Sequence, residues 1–457
     1  MTVPPALVTD LYELTMAAAY GAGVGERAAS FELFVRSLPA QRRFLVAAGL
    51  DDALAGLEEW RFAPDDIDYL RGLGLFPADF LDRLGDVGFT GEVWAVPEGE
   101  VVFQGEPLVR VTAPLVEAQL VETWLLNRIG SQTLLASKAA RVALACGDRA
   151  FVDFSARRDH GVDAAMAAAR SAWLAGAAGT SLVAAGRRWG LPLSGTMAHS
   201  FVMSFDDERD AFRAYARTFP QGVVLLIDTY DTVEGARRAA SVARELADEG
   251  ITISGVRLDS GDLASLSVAV REILDAAGLP DVDILASGDL DEHSVSTLVA
   301  GGAPIDAFGI GTQLGTSADA PALGAVYKLV EDAAGPKMKL AEGKVTLPGR
   351  KQVFRLADRD VVALHDEDVP GGRPLLVPVM EGGRRTTAEP LASARSRCAA
   401  ALAALPSDLR SLEPAPYPVW KVDTSPGLAA LATRVHAGLD QDPDPDPAPD
   451  PDAEVPG

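Results

Sequence analysis

Positive charge is what this chain is short of. Against 65 aspartates and glutamates it has 41 lysines and arginines, a formal net charge of −24 over 457 residues. That excludes the broad basic footprint with which proteins hold nucleic acids or anionic membranes. Any anionic ligand must be met by a local group of arginines and backbone N–H groups. Cysteine is nearly absent: Cys146 and Cys398 form no CxxC or zinc spacing, and such sparseness fits a reducing, cytoplasmic setting. The opening MTVPPALVTDLYEL has neither a basic n-region nor an apolar h-region, so no signal peptide is read. The longest small-apolar stretch, Ala164 to Gly186, is broken by Arg170 and reads as a buried helix and turn rather than a membrane span. No Walker A sequence occurs, and GIGTQLG misses the GxGxxG spacing because its third glycine is one residue late.

What is present is ordinary globular material, 48% hydrophobic and 23% charged, long enough for roughly two to four domains. Up to about residue 130 helix and strand signals mix. TDLYELTMAAAY offers Thr9 or Asp10 as an N-cap before an amphipathic run. GEVWAVPEGEVVFQGEPLVRVTAP alternates apolar and polar residues between turn signals, as antiparallel strands do. VEAQLVETWLLNRIGSQTLLASKAARVALAC reads as long helix. From about Arg149 strand and helix alternate: RAFVDF, GVVLLID, ISGVRLD, VDILASGD and IDAFGIGT are each strand-like, and helical runs follow the first four. Such alternation implies a parallel sheet or a barrel. Each strand ends in a polar or glycine cluster at Asp153, Asp228, Arg257–Asp259, Ser287–Asp289 or Gly309–Thr312, and ligands of parallel α/β folds bind at that end. After about 335, KVTLPGRKQVFRL and RPLLVPVM return to a smaller β-containing unit. The division expected is an α+β unit over 1–130, an α/β unit over 131–335, a returning segment over 336–436 and a disordered Asp-Pro tail over 437–457.

Several motifs carry chemistry, each with a structural alternative. In GVRLDSGDL, Asp259 and Asp262 could hold ribose hydroxyls or hydrated Mg²⁺, with Arg257 forking onto an anion; they read equally as a strand-to-helix turn capped by Asp262. In ASGDLDEHSV, Asp289 or Asp291 serves as well for an N-cap. Gly309, Gly311 and Thr312 allow close backbone approach to a phosphate. Arg157 and Arg158 in VDFSARRDHG suit an anion or a surface ion pair. His160, His293, His365 and His436 carry no ligand spacing. His199, in SGTMAHSF, has no metal partner at helical spacing, while Gly195 and Thr196 leave room beside it; core residue, base and nucleophile stay open.

Taken in order, TDLYELTM, FELFVRSLP, EGEVVFQGEPLVRV, DFSARR, SGTMAHSFV, VRLDSGDL, FGIGT, GAVYKLV and LPGRKQVFR resemble the nicotinate phosphoribosyltransferase family, over about residues 7–355. DFSARR departs from the commoner Asp/Glu-Phe-Gly-x-Arg-Arg, with Ser155 in place of glycine, which is expected to change only backbone detail. The resemblance implies an irregular α/β barrel of the type II phosphoribosyltransferase kind, beside an α+β domain built from both chain ends, in a homodimer. It implies that nicotinate and phosphoribosyl pyrophosphate give nicotinate mononucleotide and pyrophosphate for NAD biosynthesis, with ATP as co-substrate. His199 would be the phosphorylated residue. Tyr12 of one subunit and Phe154 of the other would sandwich the pyridine ring. Arg257 and Thr196 would meet its carboxylate side, and Arg157 the pyrophosphate or that carboxylate. Asp259 and Asp289 would hold ribose hydroxyls or the water of Mg²⁺, and Gly288, Gly311 and Thr312 the 5′-phosphate. A nicotinamide-using enzyme of the same fold would need an added acid facing the ring, and none is evident. A non-catalytic nucleotide sensor and a barrel lyase are the other readings; the lyase lacks a Schiff-base lysine at a strand end.

Overall fold

The computed structural model describes residues 3–341, 346–413 and 420–439. Within them the chain builds two large sheets. The six-stranded one is wholly parallel, in the spatial order Gly179–Thr180, Ala150–Asp153, Ala307–Ile310, Asp283–Ala286, Ile253–Leu258, Val223–Leu226. Followed around, this is chain order with the last strand paired to the first, the arrangement of a barrel. The ring is open on one side. A single parallel bridge from Thr180 to Leu193 extends one edge, and the other edge is Val223–Leu226. These strands read as short apolar runs because both faces are covered. Val256, Leu258, Ile284, Ala286, Phe308 and Ile310 form one core with the inner faces of the flanking helices.

The helices begin where the sequence supplies caps. Asp231 accepts from the Glu234 N–H at 2.8 Å, Asp262 from Ser265 at 3.4 Å and Asp291 from Ser294 at 2.7 Å. That resolves two ambiguities: Asp262 and Asp291 are the caps, which leaves Asp259 and Asp289 free of that role. The first long helix, Leu11–Val24, differs from expectation. Asp10 occupies its N-cap position but makes no capping bond; its carboxylate accepts from the Thr123 hydroxyl at 3.1 Å instead.

The second sheet is antiparallel and seven-stranded, in the order Gly335–Pro336, Ala325–Asp332, Ala28–Val35, Pro107–Pro114, Glu92–Ala95, Val377–Glu381, Arg384–Arg385. It joins both ends of the chain. The return begins earlier than the expected residue 336, because Ala325–Asp332 already pairs with Ala28–Val35. A four-stranded sheet, Arg373–Pro374, Lys351–Arg355, Arg359–Leu364 and Lys421–Thr424, lies beside it. The helix Glu122–Cys146 serves both cores: Trp124, Leu125 and Ile129 pack with the antiparallel sheet, and Ala136, Ala139, Ala140 and Val142 with the parallel one. The closing helix, Pro426–Leu439, runs into the segment expected to be a tail; residues 440–457 lie outside the described residues. No helix among the described residues is long and apolar enough to cross a membrane.

Candidate active site

Parallel register puts the carboxyl ends of the strands on one rim. Ile310 is level with Asp153, Ala286 with Phe308 and Leu258, and Leu226 with Arg257. The residues just beyond those ends therefore share one mouth. His199 reaches it from the segment that follows the open edge, as the first residue of the short helix His199–Met203. Its Nδ1 lies 3.2 Å from the Thr229 hydroxyl, and its Nε2 lies 3.7 Å from Asp259 Oδ2. The ring is half-exposed, as a group that must meet a ligand has to be. Nothing in this arrangement is a core packing role, and no metal-ligand set surrounds it: among the described residues no three His, Cys, Asp or Glu converge on a cation site.

Asp259 is fixed from two sides. Its Oδ1 accepts from Ser287 Oγ at 2.5 Å, and its backbone N–H donates to Asp228 at 2.9 Å. Asp228 also accepts from Ser260 Oγ at 2.6 Å. Its other carboxylate oxygen is buried without a protein partner, which is a position a ligand or its water would satisfy. Gly288, next along the rim, has φ +96°, and a Cβ there would lie 2.0 Å from the Asp259 carbonyl oxygen. Asp289 follows, exposed and itself left-handed at φ +48°. Only one other non-glycine among the described residues, Ser317, has such a conformation. Backbone strain of this kind is found at ligand sites more than elsewhere.

Arg257 emerges from the neighbouring strand. Its guanidinium donates to the Met197 carbonyl at 2.9 Å, and it lies 4.0 Å from Asp259. Its Nε is buried without a partner. Burial pulls the pKa of this guanidinium below the ordinary arginine value; Asp259 and Asp228 oppose that, and the charge of Arg157 adds to it. Arg257 and Arg157 together supply the donors that could meet an anion here, against the opposing charges of Asp259 and Asp228. Arg157 itself is exposed, as is Arg158. Thr196 is half-buried one residue before Met197, with its hydroxyl 3.4 Å from that residue's carbonyl.

Phe154 donates its backbone N–H to Ile310 at 2.8 Å. Its ring lies so close to Gly309 that a Cβ there would approach it to 2.5 Å, and Gly311 faces the Phe154 carbonyl at 3.4 Å. Thr312 begins the short helix Thr312–Gly315. Ser155 does more than adjust the backbone. Its hydroxyl lies 2.6 Å from Asp153 and 3.0 Å from Asp159. Thr180 Oγ1 completes the hold on Asp153 at 2.8 Å. Burial raises Asp153, and raises Asp159 to about 6, so Ser155 shares its proton between two carboxyls that resist ionising.

His199, Asp259, Arg257, Phe154, Gly288 and Asp289 are thus assembled in one chain, with Arg157, Thr196, Gly311 and Thr312 on the same rim. Tyr12 is not among them. It is exposed on the helix Leu11–Val24, and its hydroxyl pKa is raised by burial of part of the ring and by Glu122, Glu13 and Asp10, none of them rim residues. Sequence reasoning missed Thr229 and Thr180. A Thr directly after a strand-end Asp is the only signal Thr229 carries, and that signal is weak.

An open parallel barrel with a histidine, a desolvated arginine and carboxylates on its carboxyl rim, set beside an antiparallel sheet, defines a class of α/β half-barrel proteins. The solved structure of human nicotinic acid phosphoribosyltransferase superposes with a TM-score of 0.84 at 31% identity, covering 93% of this chain and 99% of that one. The nicotinate-nucleotide pyrophosphorylase of Pyrococcus furiosus shares the fold, with a TM-score of 0.72 at 23% identity over 88% and 96%. The family models for the nicotinate phosphoribosyltransferase N-terminal domain and for the nicotinate phosphoribosyltransferase family match residues 7–130 and 149–345. Nicotinate phosphoribosyltransferase pncB2 of Mycobacterium tuberculosis is 51% identical over 90% of both chains, and the Bacillus subtilis nicotinate phosphoribosyltransferase is 47% identical over 79% of this chain and 77% of its own. The chain belongs to the nicotinate phosphoribosyltransferase family.

Proposed function

We propose that this protein joins nicotinate to phosphoribosyl pyrophosphate, giving nicotinate mononucleotide and pyrophosphate in NAD biosynthesis, and that ATP hydrolysis is coupled to the reaction through His199. The observation that carries the choice of an acid substrate is Arg257: a desolvated guanidinium beside a second cation gains from a carboxylate and little from an amide. The ring nitrogen of nicotinate forms the bond to C1 of the ribose as the C1–pyrophosphate bond breaks. That nitrogen brings its own lone pair, so little base catalysis is required. The site contributes position and charge stabilisation as C1 becomes electron-poor. Arg257 and Thr196 orient the carboxylate, Phe154 offers one face to the ring, and Arg157 meets the departing pyrophosphate. Asp259 and Asp289 take the ribose hydroxyls, and Gly288, Gly311 and Thr312 the 5′-phosphate.

Two contacts of His199 support its reading as the phosphoryl carrier. A carboxylate accepts and cannot donate, so Asp259 beside Nε2 favours the tautomer with its proton there. Nδ1 then holds the lone pair, and the Thr229 hydroxyl can donate to it until a phosphorus atom replaces that contact. Attack by Nδ1 on the γ-phosphorus of ATP forms the N–P bond and releases ADP; water later takes the phosphoryl group.

The donor set fits Mg²⁺ carried mainly by phosphate oxygens and water. The unpartnered oxygen of Asp228 and the half-exposed Asp259 are hard oxygen donors, too few for a cation cage of their own. The ion would supply charge neutralisation at the pyrophosphate, with Asp259 holding it through water. Tyr12, remote from the rim in its own chain, acts on the pyridine ring of a partner subunit's site, in a homodimer. Two buried free cysteines, Cys146 and Cys398, fit the cytoplasm.

The test is a product assay. The protein is incubated with phosphoribosyl pyrophosphate, Mg²⁺ and either nicotinate or nicotinamide, with and without ATP, and the nucleotide is identified by mass. Nicotinate mononucleotide, in larger yield with ATP, is the expected result. Nicotinamide mononucleotide as the main product, or none from either base, would overturn the reading.

A further inference from the structure

Behind the rim is a cluster of buried charges that the chemistry above does not use. Lys138, about two-thirds of the way along the helix Glu122–Cys146, points its ammonium at two carboxylates: Glu292 at 2.5 Å and Asp319 at 2.8 Å. Arg141, one turn on, donates to the other oxygen of Glu292 at 2.9 Å and to the Leu412 carbonyl at 3.1 Å. Arg42 reaches Asp319 with two bonds of 3.0 Å and Ser317 with one of 2.9 Å. The side chains of Lys138, Glu292, Arg42 and Arg141 are each less than one-twentieth exposed, and that of Asp319 is 9% exposed. Burial alone would raise Asp319; Arg42 and Lys138 outweigh it and hold that carboxyl at about 2.

A buried ion cluster is seldom the most stable filling for a core, since apolar side chains of the same volume often do as well. What it provides is fixed geometry. Here the geometry is specific: Glu292 comes three residues after Asp289, and Asp319 comes seven after Thr312. The two strand-end loops of the rim therefore run back to one ammonium. Ser317, the second left-handed non-glycine residue, is held in the same cluster.

We propose that Lys138 is a positioning residue, which by bridging Glu292 and Asp319 sets the spacing of the Gly288–Asp289 and Gly311–Thr312 loops and so the seat of the ribose 5-phosphate end of the substrate. The second half of that statement rests on the function proposed above. Lys138 touches no substrate. It acts by holding two loops at one distance, and a displacement of about an ångström at a site can reduce its efficiency by up to about a hundredfold.

The experiment compares wild type with Lys138→Met, which keeps the chain length and removes the charge, and with Asp319→Asn, which keeps the side-chain volume. Two readouts are taken. Hydrogen–deuterium exchange of peptides covering 286–291 and 310–319 should speed up in both loops of each variant, while a peptide covering 196–200 exchanges as in wild type. Steady-state kinetics should show the KM for phosphoribosyl pyrophosphate rising about tenfold or more, with the KM for nicotinate changed less than twofold. Should Lys138→Met not fold, Asp319→Asn carries both comparisons. Unchanged exchange in either loop, or equal rises in the two KM values, would overturn the proposal. If wild type makes no nucleotide but the two loops loosen together, the loop brace stands and the proposed activity falls.

Discussion

Gly288→Ala is the sharpest probe of the rim. The added methyl would be placed 2.0 Å from the Asp259 carbonyl oxygen, 2.9 Å from its carbon and 3.7 Å from its Cα. These are backbone atoms of the next strand's end, so no side-chain rotation relieves the clash. Restoring ordinary contact requires the two strand ends to separate by roughly an ångström and a half. That motion would stretch the Ser287 N–H to Leu258 bond, now 2.8 Å, and the Ser287 to Asp259 bond, now 2.5 Å. The left-handed φ of +96° adds about 1–2 kcal/mol of strain for any L side chain, and overpacking adds about 1–3 kcal/mol. Chemical denaturation should show a loss of roughly 2–5 kcal/mol from the two sources together. Because Asp259 and Asp289 move with the loop, kcat/KM should fall by about a hundredfold, more than stability alone explains. Gly72→Ala is the control: it ends the helix Pro64–Gly72, and nothing lies within 4 Å of its added carbon. If Gly288→Ala matches wild type in both stability and turnover, the close strand-end contact is not a requirement of the site.

Arg257→Ala should weaken nicotinate use by about 2–3 kcal/mol in kcat/KM; equal activity at subsaturating nicotinate would remove Arg257 from the site. Incubation with γ-labelled ATP should leave an acid-labile, base-stable label that His199→Asn abolishes, and continued ATP hydrolysis in proportion to nucleotide formed by that variant would exclude His199 as carrier. Tyr12→Ala mixed with His199→Ala should regain after subunit exchange the ATP-stimulated nucleotide formation that each lacks alone, since one hybrid site is then intact; no recovery after verified exchange would count against a shared site. Burial lifts the Glu13 carboxyl from 4.5 to about 7, against bonds from Thr123 and Thr9. A carboxyl raised on folding favours the folded state at low pH and loses that contribution as pH rises from about 4.5 through 7. Glu13→Gln should therefore be the more stable protein above pH 7 in urea titrations and lose its advantage below about 4.5, and parallel pH profiles would refute the assignment.

The alternation of strand and helix from Arg149 to Thr312 was legible because each buried parallel strand is a short apolar run stopped by an acid or a glycine. The destination of GAVYKLV was not. Its residues suit either sheet, and its partner, Ala28–Val35, is far away in the chain. Whether a strand-end acid binds or caps was equally closed to sequence: Asp289 and Asp291 look alike until Asp291 is seen holding the Ser294 N–H. Lys138 reads in LLASKAARVALAC as an ordinary helix lysine. Its burial depends on carboxylates that arrive from positions 292 and 319, which no local pattern announces. His199 stood out by residue type, but Thr229, which orients it, required the fold.

The antiparallel sheet has a consequence for how this protein comes into being. Its interior strand Ala28–Val35 gains a second partner only when Ala325–Asp332 is available. Roughly 290 residues separate them, so at ribosomal speeds of about 5–20 residues per second the earlier strand waits about 15 to 60 s with one hydrogen-bonding edge bare. Phe31 and Leu33 on that strand are apolar and destined for burial, which makes the waiting edge a template for wrong pairing. Nascent chains stalled before residue 325 should therefore bind chaperones or aggregate, whereas the released full-length chain should not.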